Sequence, residues 1–285
     1  QANVTARYRS GIGKTGNVRP GQLSQLMTRP YGVQAVTNPI EASGGADRES
    51  RDQVRENASL RVMALDRLVG PQDYADFSRT FAGIAKAASA RIFAGGASAM
   101  HVTIAGVDDM SIPEASDLYR NLLAALRTYG DPALPLQLTM RELLMLVLSA
   151  RIAPDSAYQW EDVVARVRTA LLHHFGFERR KLGQPVVLSE VVALIQSQRG
   201  VLYVDVDALG AVSQLDEGGE RRSPQEIGEA LSAIIADASE RGRPDDYVRV
   251  QGIRAGQGGS ILPAQLAIFV ASLPETLILN RIDAA

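Results

Sequence analysis

The chain has 285 residues, no cysteine, and 30 basic against 32 acidic side chains, for a formal net charge of −2. That length allows one to three domains with real cores, and the near-zero charge gives no global pull toward nucleic acid or an anionic membrane. The missing cysteine excludes disulfides, thiol catalysis and cysteine-based zinc sites. No apolar run approaches the roughly 18–20 residues of a membrane span. The longest, Leu143 to Leu148, has the length of a core strand. The chain opens on Gln1 with neither an initiator Met nor a signal-peptide pattern, so it reads as the C-terminal portion of a longer protein.

Val4 to Arg9 alternates and suits an edge strand. Gly11, Gly13 and Gly16 follow in a flexible loop, and Asn38-Pro39 ends the short strand that spans Val33 and Val36. Ser43-Gly44-Gly45 signals a turn, and a charged helix is expected from Asp47 to about Ala58. Gly70-Pro71 places proline at a first helical position, and Tyr74 and Phe77 continue at helical spacing. Strands are expected over Ile84–Phe93 and His101–Ala105, broken at Gly95-Gly96. Ser111, with Pro113 behind it, opens a helix to about Tyr129 with Leu118, Leu122, Ala125 and Leu126 on its apolar stripe. Leu136 to Met140 alternates as a strand, and Leu143 to Ile152 continues extended. Residues 84–152 therefore read β-β-α-β.

The second half repeats this logic. Trp160 to Phe175 is an amphipathic helix, Ser189 opens a shorter one to Gln198, and Val201 to Leu209 is a strand with Asp205 and Asp207 on its polar face. Ser223-Pro224 begins a helix to about Glu240, and Leu277 to Leu279 is a closing strand. The expected class is α+β, with small, mainly antiparallel sheets packed against helices and joined by extended linkers. The expected organisation is a domain edge over 1–40, a linker over 41–83, small domains over 84–152 and 153–210, and an extended tail over 211–285 that carries the helix and is free to wrap a neighbour.

Four features invite a chemical reading. Gly13-Lys14-Thr15 lacks the glycine five residues earlier, where Tyr8 stands, and lacks a helix start after it, so a phosphate loop is disfavoured. His101 has no ligand partner at metal spacing and reads as structural. His173 and His174 are adjacent on a helix and point about 100° apart, so they read as helix-end residues that complement the dipole. Asp205 and Asp207 have no third polar partner in the local sequence, and they read as surface rather than an acid–base pair. No cofactor or metal is expected, and no catalytic set shows at usable spacing. Residues 1–40 hold Arg7, Arg9, Lys14, Arg19 and Arg29 and no acid. That basic stretch is either a contact to an acidic partner surface or an ordinary exposed face.

The segments GIGKTGNVRPGQL (Gly11 to Leu23), VTNPIEASGGADRES (Val36 to Ser50) with RENA (Arg55 to Ala58), LVGPQDYADFSRTFAGIAKA (Leu68 to Ala87) and LGQPVVLSEVVALIQSQRGVLYVDVDAL (Leu182 to Leu209) stand in an order that resembles the baseplate J-like family. This is the family of wedge proteins in contractile phage tails and related injection particles. The likeness covers Tyr8 to about Leu209 and returns weakly at LPETLILN (Leu273 to Asn280). It implies a structural, non-enzymatic wedge subunit of a baseplate ring around a central spike and hub, assembled in the bacterial cytoplasm. Implied partners are other wedge subunits and sheath-initiator-like and hub components, with no nucleic acid and no membrane insertion. Rearrangement during sheath contraction would need hinges, and Gly44, Gly45, Gly70, Gly95 and Gly96 are the candidates. The alternative is an adaptor of a secretion-related assembly that builds no ring.

Overall fold

The computed structural model describes residues 11–28, 30–42, 45, 47–49, 51, 54–55, 67–216 and 220–282. The strand expected over Val4–Arg9 and most of the helix expected over Asp47–Ala58 lie outside them.

The first unit begins with helix α1 (Pro71–Arg79). Pro71 sits where a missing N–H costs nothing. The Asp73 carboxylate accepts from the N–H groups of Gly70 (2.8 Å) and Val69 (2.9 Å), and these bonds hold its pKa below the ordinary value. Strands β1 (Ile84–Ala94) and β2 (Ala97–Gly106) form an antiparallel hairpin. Its two-residue turn needs positive φ at both central positions, and Gly95 (φ 60°) and Gly96 (φ 81°) supply it. Helix α2 (Asp117–Tyr129) crosses back over the sheet, and β3 (Leu136–Met140) then pairs parallel to β2. Tyr119, Leu122 and Leu126 of α2 share one core with Val102, Ile104 and Leu138 of the sheet and Tyr74 of α1. The helix starts later than Ser111, because Ser116 is the residue whose hydroxyl accepts from the Tyr119 N–H at 3.2 Å.

The second unit is built on β4 (Glu142–Pro154). Strand β6 (Val201–Ser213) pairs antiparallel with it along most of its length. On the opposite edge β10 (Gln265–Ile268) and β11 (Leu277–Arg281) pair parallel with β4, one after the other. Side chains alternate across a strand. Leu144, Leu146, Leu148, Ala150 and Ile152 therefore face a core with Val163, Val167 and Leu171 of α3 (Trp160–His174) and Val191 and Ile195 of α4 (Leu188–Gln196). Met145 and Val147 face the other way, toward Val212 and Leu231, the latter on α5 (Pro224–Arg241). Two short pairs complete the unit: β5 (Val186–Val187) with β7 (Tyr247–Val248), and β8 (Arg254–Ala255) with β9 (Ile261–Leu262).

The class is α+β; pairing is mainly antiparallel, and each of the two large sheets also carries parallel pairs. Two local expectations change. Leu143–Ile152 does not join the β-β-α-β set of the first unit, since its hydrogen bonds go to β6, β10 and β11. A strand apolar on both faces needs helices on both sides, and only the second unit provides them. The described part of the tail folds onto its own body, because β10 and β11 fill the free edge of β4 and α5 covers the sheet.

Gly210 on β6 is what lets α5 approach. A Cβ there would lie 2.6 Å from a methyl carbon of Ile234. The substitution Gly210→Val is expected to overpack this contact and cost about 1–3 kcal/mol, read as an earlier urea midpoint with loss of α5 protection in hydrogen exchange.

Candidate partner-binding site

The described residues between 11 and 55 form an arm with few ties to the body. A 3-10 turn at Gly13–Gly16 opens it. The Lys14 ammonium pairs with Asp108, and the Lys14 N–H donates to Asp47 at 2.9 Å. The hydrogen bond to Asp108 is the main cause of a raised Lys14 pKa, with smaller contributions from the charges of Asp47 and Glu178. Asn17 bonds Gly45 in both directions, at 2.9 Å and 2.8 Å. Farther along, Asn38 fastens the arm to itself. Its side chain accepts from the Leu23 N–H and donates to the Arg19 and Ile40 carbonyls.

Between those clamps the arm presents large apolar side chains to solvent. Leu23, Leu26, Met27, Tyr31, Val33 and Ile40 are exposed, Met27 and Tyr31 fully. An extended stretch of this kind gains nothing from burial in the chain itself, and contiguous exposed apolar surface marks contact sites. Of the predicted basic set, Arg7, Arg9 and Arg29 lie outside the described residues, Arg19 is exposed and Lys14 is paired with Asp108. The Thr15 hydroxyl donates to the Ile12 carbonyl at 2.6 Å.

The hinge candidates are placed differently from one another. Gly44 lies outside the described residues. Gly45 is enclosed, since a Cβ would come within 2.6 Å of the Asn17 side chain and the Gly13 carbonyl. Gly70 caps α1, and Gly95 and Gly96 turn the β1–β2 hairpin. The chain passes between the two large sheets at Arg141, the single residue between β3 and β4.

Three polar groupings escaped the sequence. Arg151 on β4 lies opposite Asp205 on β6 and donates to Asp205 (2.5 Å) and Asp207 (2.8 Å). It is the third polar partner that local spacing could not show, and its one signal is a lone charge in an apolar run. These groups are well exposed, so the pair contributes little to stability. His174 is not only a helix-end residue: its Nε2 lies 2.8 Å from Glu190 of α4. Arg180, in the basic turn after α3, is buried and donates to the Gln184 and Pro185 carbonyls. Burial pulls its pKa down, and Glu190 partly offsets this.

His101 is fully buried, with Nε2 3.1 Å from the Thr139 hydroxyl. Among the described residues no group of three or more His, Cys, Asp or Glu side chains is arranged to hold a metal, and no helix is long and apolar enough to cross a membrane. A groove of about 440 Å³ is lined by Arg79, Lys86, Lys181, Leu182 and three β1 alanines.

The sequence pattern of the baseplate J-like central domain matches residues 66–139, which take in α1, both strands of the hairpin, α2 and nearly all of β3. The chain carries a baseplate J-like central domain. A cryo-EM structure of the anti-feeding prophage baseplate, 6-fold symmetrised, is similar over 69% of this chain and 45% of that one, at 14% identity and a TM-score of 0.44. This chain spans less than half of that baseplate chain. No curated protein matches. The baseplate J-like central domain ends where β3 ends, so β4 and the second unit lie outside the matched segment.

Inside the baseplate J-like segment, burial pushes the His101 pKa down from 6.5 to about 4. The unfolded chain therefore binds a proton at 6.5 that the folded chain refuses until about 4. The His101-linked part of the stability is fully present above pH 6.5 and is expected to fall by about 3 kcal/mol as pH drops toward 4. Urea unfolding across this range is expected to show the slope, and His101→Gln is expected to flatten it.

Proposed function

We propose that this chain is a structural wedge component of the baseplate of a contractile tail or tail-like injection particle. The match of residues 66–139 to the baseplate J-like central domain carries the reading. On this reading the chain works by binding and by mechanical support rather than by catalysis. It joins a ring around the spike and hub, next to other wedge subunits and sheath-initiator-like components, and helps couple baseplate rearrangement to sheath contraction. Assembly would take place in the bacterial cytoplasm.

The arm is the element best suited to a neighbour. Its exposed Leu23, Leu26, Met27 and Tyr31 supply apolar contact, and Arg19 with the other basic residues of the first 40 favours an acid-rimmed surface. A baseplate subunit with an apolar channel edged by carboxylates has the complementary chemistry.

The test is electron microscopy of particles purified from cells that express the whole gene cluster. Deleting this gene is expected to remove the baseplate and leave short sheaths or tubes. The double substitution Met27→Asp and Tyr31→Asp is expected to give the same loss while the purified chain keeps its unfolding midpoint, since both side chains are already in solvent. Complete contractile particles in the deletion strain would overturn the structural role and leave an adaptor in its place.

A further inference from the structure

Strand β2 ends at Gly106 and the chain turns sharply through Val107–Asp109. The turn doubles back tightly: a Cβ on Gly106 would lie 2.4 Å from the Met110 carbonyl oxygen. Asp108 (φ 52°) and Asp109 (φ 63°) both adopt left-handed backbone, and among the described residues they are the non-glycine positions that do so. Aspartate tolerates this region better than most residues, but two in succession persist only when their surroundings hold them there.

The Val107 N–H bonds Gly83 and the Met110 N–H bonds Val107 to close the turn, and each carboxylate takes one cationic partner. Asp108 pairs with Lys14 of the arm. Asp109 takes a bidentate pair from Arg141, with Nε at 2.7 Å and Nη2 at 2.5 Å. Arg141 is nearly buried and also reaches Gln214 at the end of β6 (3.4 Å). It is also the residue at which backbone bonding changes sheets. The Arg141 N–H donates to Ile104 of β2, and the Glu142 N–H donates to Ala264 beside β10. The covalent joint between the two units and the ion pair that braces it are therefore the same residue. Lys14 in turn feels the charge of Glu178, which belongs to the second unit.

We propose that the Val107–Asp109 turn couples the position of the arm to the angle between the two units. The two aspartates are consecutive in one tight left-handed turn, so a backbone change at one is passed to the other. When the arm is drawn away and Lys14 leaves Asp108, the turn loses one of the two ion pairs that fix its side chains. The Asp109 carboxylate then swings off Arg141 and the joint loosens. Linkage requires the converse: loosening the joint frees the arm. This is a property of the chain itself and stands whether or not the arm docks in a baseplate.

The absence of cysteine makes the test direct. Spin labels are placed at Ala124→Cys on α2 and Ala236→Cys on α5, both exposed, and the inter-label distance distribution is measured by double electron–electron resonance on the purified chain. Asp108→Asn, Asp109→Asn, Lys14→Met and Arg141→Gln are compared with the parent; asparagine keeps the left-handed backbone and removes only the charge. The parent is expected to give one narrow distribution. Asp109→Asn and Arg141→Gln should at least double its width. Lys14→Met and Asp108→Asn touch neither Arg141 nor Asp109 side chains, and they should broaden it as well. A second label pair, Gln22→Cys with Ala124→Cys, should show the arm released by Arg141→Gln. An unchanged inter-unit distribution in both Lys14→Met and Asp108→Asn overturns the coupling. Those two sites are at the surface and keep the fold, so they decide the matter even if Arg141→Gln unfolds.

Discussion

A strand that is apolar on both faces has to be covered twice, and β4 imposes that requirement on everything after it. Its even-numbered residues demand α3 and α4, its odd-numbered ones demand α5, and its two edges demand β6 on one side and β10 with β11 on the other. The second unit is the set of elements that meets those four demands. The first unit has a simpler arrangement, with one sheet and two helices around one core. The two are separate because no apolar side chain is common to the cores; the chain passes between them at Arg141, whose own side chain is polar and braced, and a few polar contacts, the Ala264 N–H on the Thr103 hydroxyl and Lys86 on the Glu178 carbonyl, also cross.

Several elements were legible because their signals are local. Ser223-Pro224 reads as a helix start, and in the fold the Glu226 N–H donates to Ser223 while the Ser223 N–H donates back to Glu226. Gly70-Pro71 reads as a helix start, and Gly95-Gly96 as a strand break, for equally local reasons. The partners of β4 were not legible, because a parallel pairing between Gln265 and Glu142 has no signal within either segment. The same holds for the ion pairs. Arg141 with Asp109, and Arg151 with Asp205 and Asp207, are made by topology, and neither arginine has its partner nearby in the sequence. Arg180 reads as part of a basic turn, although the chain folds its guanidinium onto the Phe175 ring and inside.

The arm and the units differ in what holds them. The units are closed by burial, which is non-directional and cooperative. The arm is held by a few polar clasps: Lys14 on Asp108, Asn17 on Gly45, and Asn38 on its own backbone. Polar clasps near water exchange readily for those of a neighbour, while an apolar core does not. A partner can therefore take hold of the arm without opening either apolar core, which suits a protein that has to join an assembly after it has folded.

The pairing of β10 and β11 with one edge of β4 also bears on how the chain is made. Residues 67–140 can close as soon as they emerge, since their strands and helices are near one another in sequence. Strand β4 follows immediately, yet the segments that cover its second edge arrive only after more than 110 further residues, with Gln265 opposite Glu142 and Leu277 opposite Leu148. Throughout that interval during synthesis a buried-type strand carries an unpaired edge, the state most prone to wrong pairing with another nascent chain. The long excursion through α3, α4, β6 and α5 thus sets a waiting time on the ribosome, during which crowding of polysomes bears on the yield as well as the stability of the finished protein.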